Sequence, residues 1–165
     1  MSSRLHADTE VFANTAGAVG ARLAAMAKLG LPVPDGVILS SETVQSIANG
    51  GAAPVMPKDL TSGLLSVRSS PENLDWGGPN AILNIGMTDD FVKTHNHSVG
   101  AGGAMDLYRR FIQSYAVIVE NLDPEYFENL YYDQLKLADA NDESALSDAD
   151  VGVMLANCKA LYEEE

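Results

Sequence analysis

The stretch from Leu64 to Gly86, LLSVRSSPENLDWGGPNAILNIG, constrains the fold of this chain most, because turn-forming residues separate two strand-like runs in it. The second run, Ala81–Ile85, has the length and β-branched content of a buried strand. The first run ends near Arg68, and a guanidinium buried on a short apolar strand would need an anionic partner. Two strands, a glycine-containing loop and an arginine together predict a phosphate site. The alternative is a structural ion pair between Arg68 and an aspartate, for which the candidates are Asp75, Asp89 and Asp90.

Before this stretch the sequence predicts alternating helices and strands. Residues 15–29 are alanine-rich with apolar residues at helical spacing, and Thr15 is a candidate N-cap. Residues 36–40, GVILS, are typical of a strand, and a short helix is expected from Ser41 to about Asn49. Together with the two later strands, these elements predict an α/β part at residues 1–86.

After this stretch the sequence predicts a helical subdomain at residues 87–165. Residues 88–103 are polar and contain glycines, so we expect a loop there. Three amphipathic helices should follow: one over residues 104–120, one capped by Asp123, and one opened by a capping box of Ser147 and Asp150. On the helix at 104–120, Arg109 and Arg110 cannot both face the core, so one of them should be solvated or paired at i, i+4 spacing. The whole pattern favours an α+β fold.

Negative charge is concentrated in the last third of the chain. From Glu120 onward there are 13 acidic residues against two lysines, a net charge of −11, whereas the preceding residues carry 10 acidic and 8 basic side chains. Such a surface repels a phosphate backbone, so nucleic-acid binding is not expected. Any anion site should lie in the nearly neutral first part.

Membrane and secretory signals are not recognisable. No apolar run approaches the ~18 residues of a membrane span, and the N-terminal residues lack the apolar core of a signal peptide. We therefore expect a cytoplasmic protein that does not contact membranes. The single cysteine, Cys158, lies on an apolar helical stripe, which favours a buried structural thiol over a nucleophile. His95 and His97 have two readings, solvated loop residues or metal ligands, and the former is favoured because no third and fourth ligand is recognisable.

Three motifs in order resemble one family. They are KLGLPVPDGVILSSET, then LLSVRSS followed by ILNIG, then YRRFIQSYAVIV, with LSDAD at the start of the last helix. This combination resembles the N-terminal nucleotide-binding domain of pyruvate, phosphate dikinase, and more distantly that of phosphoenolpyruvate synthase. The resemblance implies the first lobe of an ATP-grasp fold followed by an inserted helical subdomain. In the family, ATP with Mg²⁺ phosphorylates a histidine on a separate domain, which carries the phosphoryl group to pyruvate.

When the family's motif residues are compared with this sequence position by position, the resemblance implies that the chain retains only some of the family's charged residues. The site residues that it implies are Arg68, Asn84, Arg109 and Arg110. The family's glycine-flanked lysine falls at Val19, a second arginine of the S-V-R-S-G-A-R segment falls at Glu72, and a loop aspartate falls at Asn80. The resemblance also places the second ATP-grasp lobe, with its acidic metal ligands, beyond Glu165. We therefore expect no catalytic residue and no metal ligand in this chain.

Three functional hypotheses follow from these residues. The favoured one is a catalytically inactive relative of the ATP-binding domain that acts as a binding or regulatory module, with a full-length dikinase or another protein as partner. The alternatives retain nucleotide binding: a module that binds ATP weakly through Arg68, or a phosphotransferase fragment that is active only when a second lobe is supplied in trans. Loss of the family's cations opposes both alternatives.

Overall fold

The computed structural model of the chain describes residues 2–5, 11–73 and 81–164. The chain forms two compact units: unit 1 comprises Met1–Gly63 and Arg68–Ala81, and unit 2 comprises Leu64–Val67 and Ile82–Glu165. Within the described residues there are six α-helices and two two-stranded sheets, so the predicted α+β class is confirmed.

Unit 1 is built on a short antiparallel sheet and two helices. Its elements are β1 (Ser2–Arg4), α1 (Ala13–Lys28), β2 (Val37–Leu39) and α2 (Ser41–Ala48). Strands β1 and β2 pair in the register Ser2↔Leu39, Ser3↔Ile38 and Arg4↔Val37. A small core of buried Leu5, Ala24 and Ala27 is covered by half-buried apolar side chains from Val11, Leu23, Val33 and Ile38. The hydroxyl of Ser40 caps α2 by accepting a hydrogen bond of 3.2 Å from the amide of Thr43.

Helix α1 differs from the prediction in its start and in its shape. The helix begins at Ala13, and Thr15 is not its N-cap, because the Thr15 hydroxyl donates to the carbonyl oxygen of Phe12 instead. At Gly17 the backbone leaves helical geometry, with φ +69° and ψ 170°, so α1 is two helical segments joined at this residue.

Unit 2 is dominated by helices. The strands β3 (Leu65–Arg68) and β4 (Ala81–Ile85) form the second sheet. The helices are α3 (Asp89–Val99), α4 (Ala101–Ile118), α5 (Pro124–Leu137) and α6 (Asp148–Glu164), with a short 3₁₀ helix at Glu143–Ala145. The core of unit 2 lies between α4, α5 and α6 and consists of buried side chains from Ile112, Ala116, Phe127, Leu155 and Cys158.

The loop predicted at residues 88–103 is wrong, because most of it is helical. Thr88 caps α3 by accepting a hydrogen bond of 3.1 Å from the amide of Phe91, and two aspartates occupy the first turn. Helix α4 begins three residues before the predicted Ala104 and includes Gly102. A Cβ at Gly102 would lie 2.3 Å from the Asp148 carboxylate, so this glycine allows α4 and α6 to approach each other closely.

The predicted caps of the last two helices are confirmed. The Asp123 carboxylate accepts a hydrogen bond of 3.0 Å from the amide of Glu125 at the start of α5. Ser147 and Asp150 form a reciprocal capping box, in which each side chain accepts a hydrogen bond from the backbone amide of the other.

Candidate functional site

Arg68 stands at the end of β3 with an exposed side chain. Among the described residues, it makes no hydrogen bond or ion pair. Two of the aspartates considered as its partners are bound elsewhere: Asp89 pairs with Lys159, and Asp90 lies 3.6 Å from Lys93. The third, Asp75, is outside the described residues, as is Asn80. Arg68 therefore faces solvent, and its charge does not depend on a buried partner.

The segment that follows Arg68 packs against the kink of α1. The amide of Ala18 donates to the carbonyl oxygen of Pro71 at 2.9 Å, and the amide of Gly20 donates to the hydroxyl of Ser70 at 2.8 Å. The same hydroxyl donates to the carbonyl oxygen of Ala16 at 2.6 Å. Val19, which the resemblance places at the family's lysine, lies just after the kink of α1, where the flanking amides of Ala18 and Gly20 already have oxygen partners.

Gly17 makes this close contact possible. A Cβ on Gly17 would lie 1.5 Å from the carbonyl oxygen of Ser70, and its φ and ψ fall in a region that is essentially restricted to glycine. The structure therefore joins two parts of the sequence that lie about 50 residues apart, the kink of α1 at Gly17 and the residues after Arg68. The role of Ser70 is not recognisable from the sequence, because a serine carries no local signal for a contact at that distance.

Asn84 connects β4 to α4 within unit 2. It has a positive φ of 59°, its carbonyl oxygen accepts a hydrogen bond from the amide of Met87 at 3.1 Å, and its side-chain amide lies 3.5 Å from the carbonyl oxygen of Leu107. Asparagine tolerates a left-handed backbone better than most residues. Asn84 thus closes the turn after β4 and orients that turn toward α4.

Arg109 and Arg110 share two carboxylates. Arg109 is 5% exposed and donates to Asp106 at 2.6 and 2.9 Å, to Glu143 at 3.0 Å and to Gln113 at 3.3 Å. Arg110 is exposed and donates to the second oxygen of each carboxylate, at 2.6 Å to Asp106 and 2.7 Å to Glu143. The expectation that one of the two arginines is paired at i, i+4 spacing is confirmed by the Asp106–Arg110 ion pair.

The charges in this cluster balance each other. Burial raises the pKa of Asp106, but hydrogen bonds led by the one from Arg110 outweigh burial and hold that pKa below its ordinary value. The Asp106 carboxylate likewise raises the pKa of Arg110. Two guanidiniums facing two carboxylates form a neutral network that ties the 3₁₀ helix to α4. Asp106 precedes Arg109 by three residues and Arg110 by four, so these pairs are recognisable from the sequence. The pairing with Glu143, which lies more than 30 residues away, is not.

The cysteine and the two histidines, which were considered as a nucleophile and as metal ligands, are the remaining candidates. Cys158 is buried, and burial raises the pKa of its thiol to about 11, in agreement with a structural role. His95 lies on α3, where its ring stacks on Phe91 with a centroid distance of 3.9 Å. The side chain of His97 lies outside the described residues. No group of three or more potential metal ligands occurs in the part of the chain that the structure describes.

The sequence is similar to those of several pyruvate, phosphate dikinases. The chain is 31% identical to a pyruvate, phosphate dikinase of Rhizobium meliloti over 172 aligned positions, which cover 90% of the chain and 19% of the relative. The chain is related to the pyruvate, phosphate dikinases. Dikinases of Rickettsia felis, at 28% identity over 81% of the chain, and of Oryza sativa subsp. japonica, at 27% over 90%, are further relatives.

The chain spans about a fifth of the length of these dikinases. No model of a protein family matches the sequence. Among the described helices, none has the length and apolar character needed to cross a bilayer. The predicted relationship to the dikinases is confirmed, whereas the domain to which the chain corresponds stays a prediction.

Proposed function

We propose that this chain is a relative of the dikinase nucleotide-binding domain that serves as a protein-binding or regulatory module and does not transfer phosphate by itself. In this proposal residues 1–86 correspond to the first lobe of an ATP-grasp fold and residues 87–165 to a helical subdomain. The role rests on the chain's own residues, which retain the scaffold but not the charges that phosphoryl transfer needs.

The observation that carries the proposal is the turn around Val19. Phosphoryl transfer depends on cations and backbone amides aimed at the phosphates. Here the side chain at the lysine position is apolar, and the flanking amides of Ala18 and Gly20 donate to Pro71 and Ser70. A phosphate at this turn would have to displace both intramolecular oxygens without gaining a positive charge.

The remaining candidate cations support the same conclusion. Arg109 and Arg110 are neutralised by Asp106 and Glu143, and the exposed Glu72 follows Arg68 by four residues. These residues do not fit a nucleoside triphosphate with its magnesium ion. Only Arg68 favours the alternative of a weak nucleotide-binding fragment, because it is exposed and has no partner among the described residues.

A titration with ATP and Mg²⁺, followed by thermal unfolding, tests the proposal. A ligand at 100 times its Kd adds about 2.7 kcal/mol of stability, so a Kd of about 10 µM gives a shift of that size at 1 mM nucleotide. We expect no shift at millimolar nucleotide. The double variant Val19→Lys/Glu72→Arg restores both charges and should gain a shift, whereas the uncharged control Val19→Met/Glu72→Gln should not. Magnesium-dependent ATP hydrolysis or phosphate exchange by the unmodified chain, abolished by Arg68→Ala, would contradict the proposal.

A further inference from the structure

Helix α5 is apolar on two faces. Its inner face is buried in unit 2, where Phe127 is 2% and Leu135 8% exposed. On another face, Tyr126 and Leu137 are 45% and 81% exposed. The structure leaves this second apolar face uncovered within the described residues.

Tyr126 and Leu137 lie on one line of the helix with the half-buried Leu130, which also packs against the core of unit 2, and with the exposed Asp133. We define the α5 stripe as Tyr126, Leu130, Asp133 and Leu137. Their spacing of four, three and four residues places them along one line of the helix, over a length of about 16 Å. This is the spacing by which one helix packs along another, with apolar side chains on both. A partner helix fits a line of this kind better than an irregular loop does.

Charge defines the chemistry of the partner. Asp133 lies within the α5 stripe, is exposed, and makes no ion pair or hydrogen bond among the described residues. The residues from Glu120 onward carry a net charge of −11. Of their two lysines, Lys159 is engaged with Asp89 and with the ring of Tyr108. A basic partner is therefore complementary, while a second copy would bring a net charge of −13 against another −13.

We propose that the α5 stripe docks an amphipathic helix of a partner protein that places apolar side chains on Tyr126 and Leu137 and a lysine or arginine opposite Asp133. This inference rests on the proposed binding role and adds the surface and the chemistry of the partner. Apolar contacts along the stripe supply the affinity, and the cation at Asp133 fixes the register of the two helices.

The probe for this surface is a synthetic helical peptide with leucine at its a and d positions and lysine at its e and g positions. A scrambled peptide of the same composition is the control, and fluorescence anisotropy gives the affinity. We expect Tyr126→Ser and Leu137→Ser each to weaken binding about tenfold or more, as the truncation of a central apolar contact does. Tyr132→Ser is the matched control, because Tyr132 is also exposed on α5, at 63% against 45% for Tyr126, but lies off the stripe, against Tyr131.

Asp133→Asn separates the charge from the apolar contact. This variant should bind more weakly at low salt, and its affinity should vary less with salt than that of the unmodified chain. Helical circular dichroism of each variant verifies that the fold is retained. Equal weakening by Tyr126→Ser and Tyr132→Ser, or equal binding of the scrambled peptide, would overturn the proposal.

Sedimentation of the chain alone tests the competing occupant. A dimer that is lost in Leu137→Ser would assign the stripe to a second copy and would overturn the inference. The nucleotide titration, run on the same samples, keeps the two proposals distinguishable. Failure of the peptide to bind concerns the stripe alone, whereas a nucleotide-dependent thermal shift would contradict the proposed function whatever the peptide does.

Discussion

At the scale of single residues, Gly17 is the position where the fold of unit 1 depends most on the absence of a side chain. Gly17→Ala would place a methyl group inside the carbonyl of Ser70 and force a φ, ψ pair that alanine avoids, so we expect a loss of about 3 kcal/mol or more in unfolding free energy. Gly30→Ala is the matched control. Gly30 also has a positive φ, of 72°, but a Cβ there meets nothing within 4 Å. Gly30→Ala should therefore lower the unfolding free energy only by the cost of a left-handed backbone, about 1–2 kcal/mol. Urea unfolding of the two variants measures the difference, and equal losses would contradict the contact with Ser70.

Arg109 and Arg110 bind the same two carboxylates but differ in burial, which separates their contributions to stability. Arg109→Met keeps the aliphatic volume while removing a buried guanidinium with four hydrogen bonds, and should cost about 3 kcal/mol. Arg110→Met removes an exposed partner and should cost less than about 1 kcal/mol. Urea unfolding followed by circular dichroism at 222 nm compares the two. A larger loss for Arg110→Met would mean that the exposed pair organises the cluster.

Asp106 gives this cluster a defined pH dependence. Because its pKa in the folded chain lies below the ordinary value of 3.8, the folded state binds fewer protons than the unfolded state. Its stabilising contribution is therefore fully present above the unfolded pKa and is lost as the pH falls through the folded pKa. We expect the stability difference between the unmodified chain and Asp106→Asn to be largest near neutral pH and to shrink below about pH 4. Glu128→Gln, on the exposed face of α5, is the control and should show little difference at any pH. A difference for Asp106→Asn that stays constant down to acid pH would argue against the network.

At the scale of elements, the sequence predicted those whose ends carry chemical signals. Helices α5 and α6 were predicted with their caps because Asp123 and the Ser147–Asp150 pair act within one turn. Strand β4 was predicted because its run has the length and β-branched content of a strand. Helix α3 was missed because its histidines and asparagine suggest a loop, while its Thr88 cap is a signal of only one residue. Strand β1 has three residues, too few for any periodicity to be recognised.

The cap of α3 leads to a prediction about that helix. Thr88→Ala removes the acceptor for the Phe91 amide and should cost about 1 kcal/mol, with faster hydrogen exchange in the first turn. Thr94→Ala is the internal control. The Thr94 hydroxyl donates to the Asp90 carbonyl oxygen at 2.8 Å inside the helix, where alanine is the better helix former, so this change should be neutral or slightly stabilising. Equal exchange rates in the two variants would indicate that the packing of α3, not its cap, determines its start.

At the scale of the whole molecule, the candidate site illustrates what a sequence can and cannot predict. Residue types at motif positions can be read directly, so the resemblance alone predicts that Val19 and Glu72 stand where the family has cations. The pairing of Arg109 and Arg110 with Glu143 and the contact of Ser70 with Gly20 were not, because both depend on how distant segments fold back on each other. Whether a cation is free to bind an anion is therefore decided by tertiary contacts, while its presence is decided by sequence.

The acidic residues are concentrated in unit 2, so we expect the stability of unit 2 to depend on salt concentration. All six tyrosines lie in unit 2, so near-UV circular dichroism of a Trp76→Phe variant, which lacks the only tryptophan of the chain, follows that unit. Self-repulsion among its acidic residues is screened as the Debye length falls from about 30 Å at 10 mM salt to about 3 Å at 1 M. The opposing loss of ion-pair energy is small, because the Arg109 pairs are buried and the exposed pairs contribute little. We expect the tyrosine-detected midpoint to rise with salt. Glu163→Lys/Glu164→Lys, which changes the net charge from −13 to −9, should flatten this rise. A midpoint that falls with salt would instead mean that ion pairs, and not net repulsion, dominate the electrostatics of unit 2.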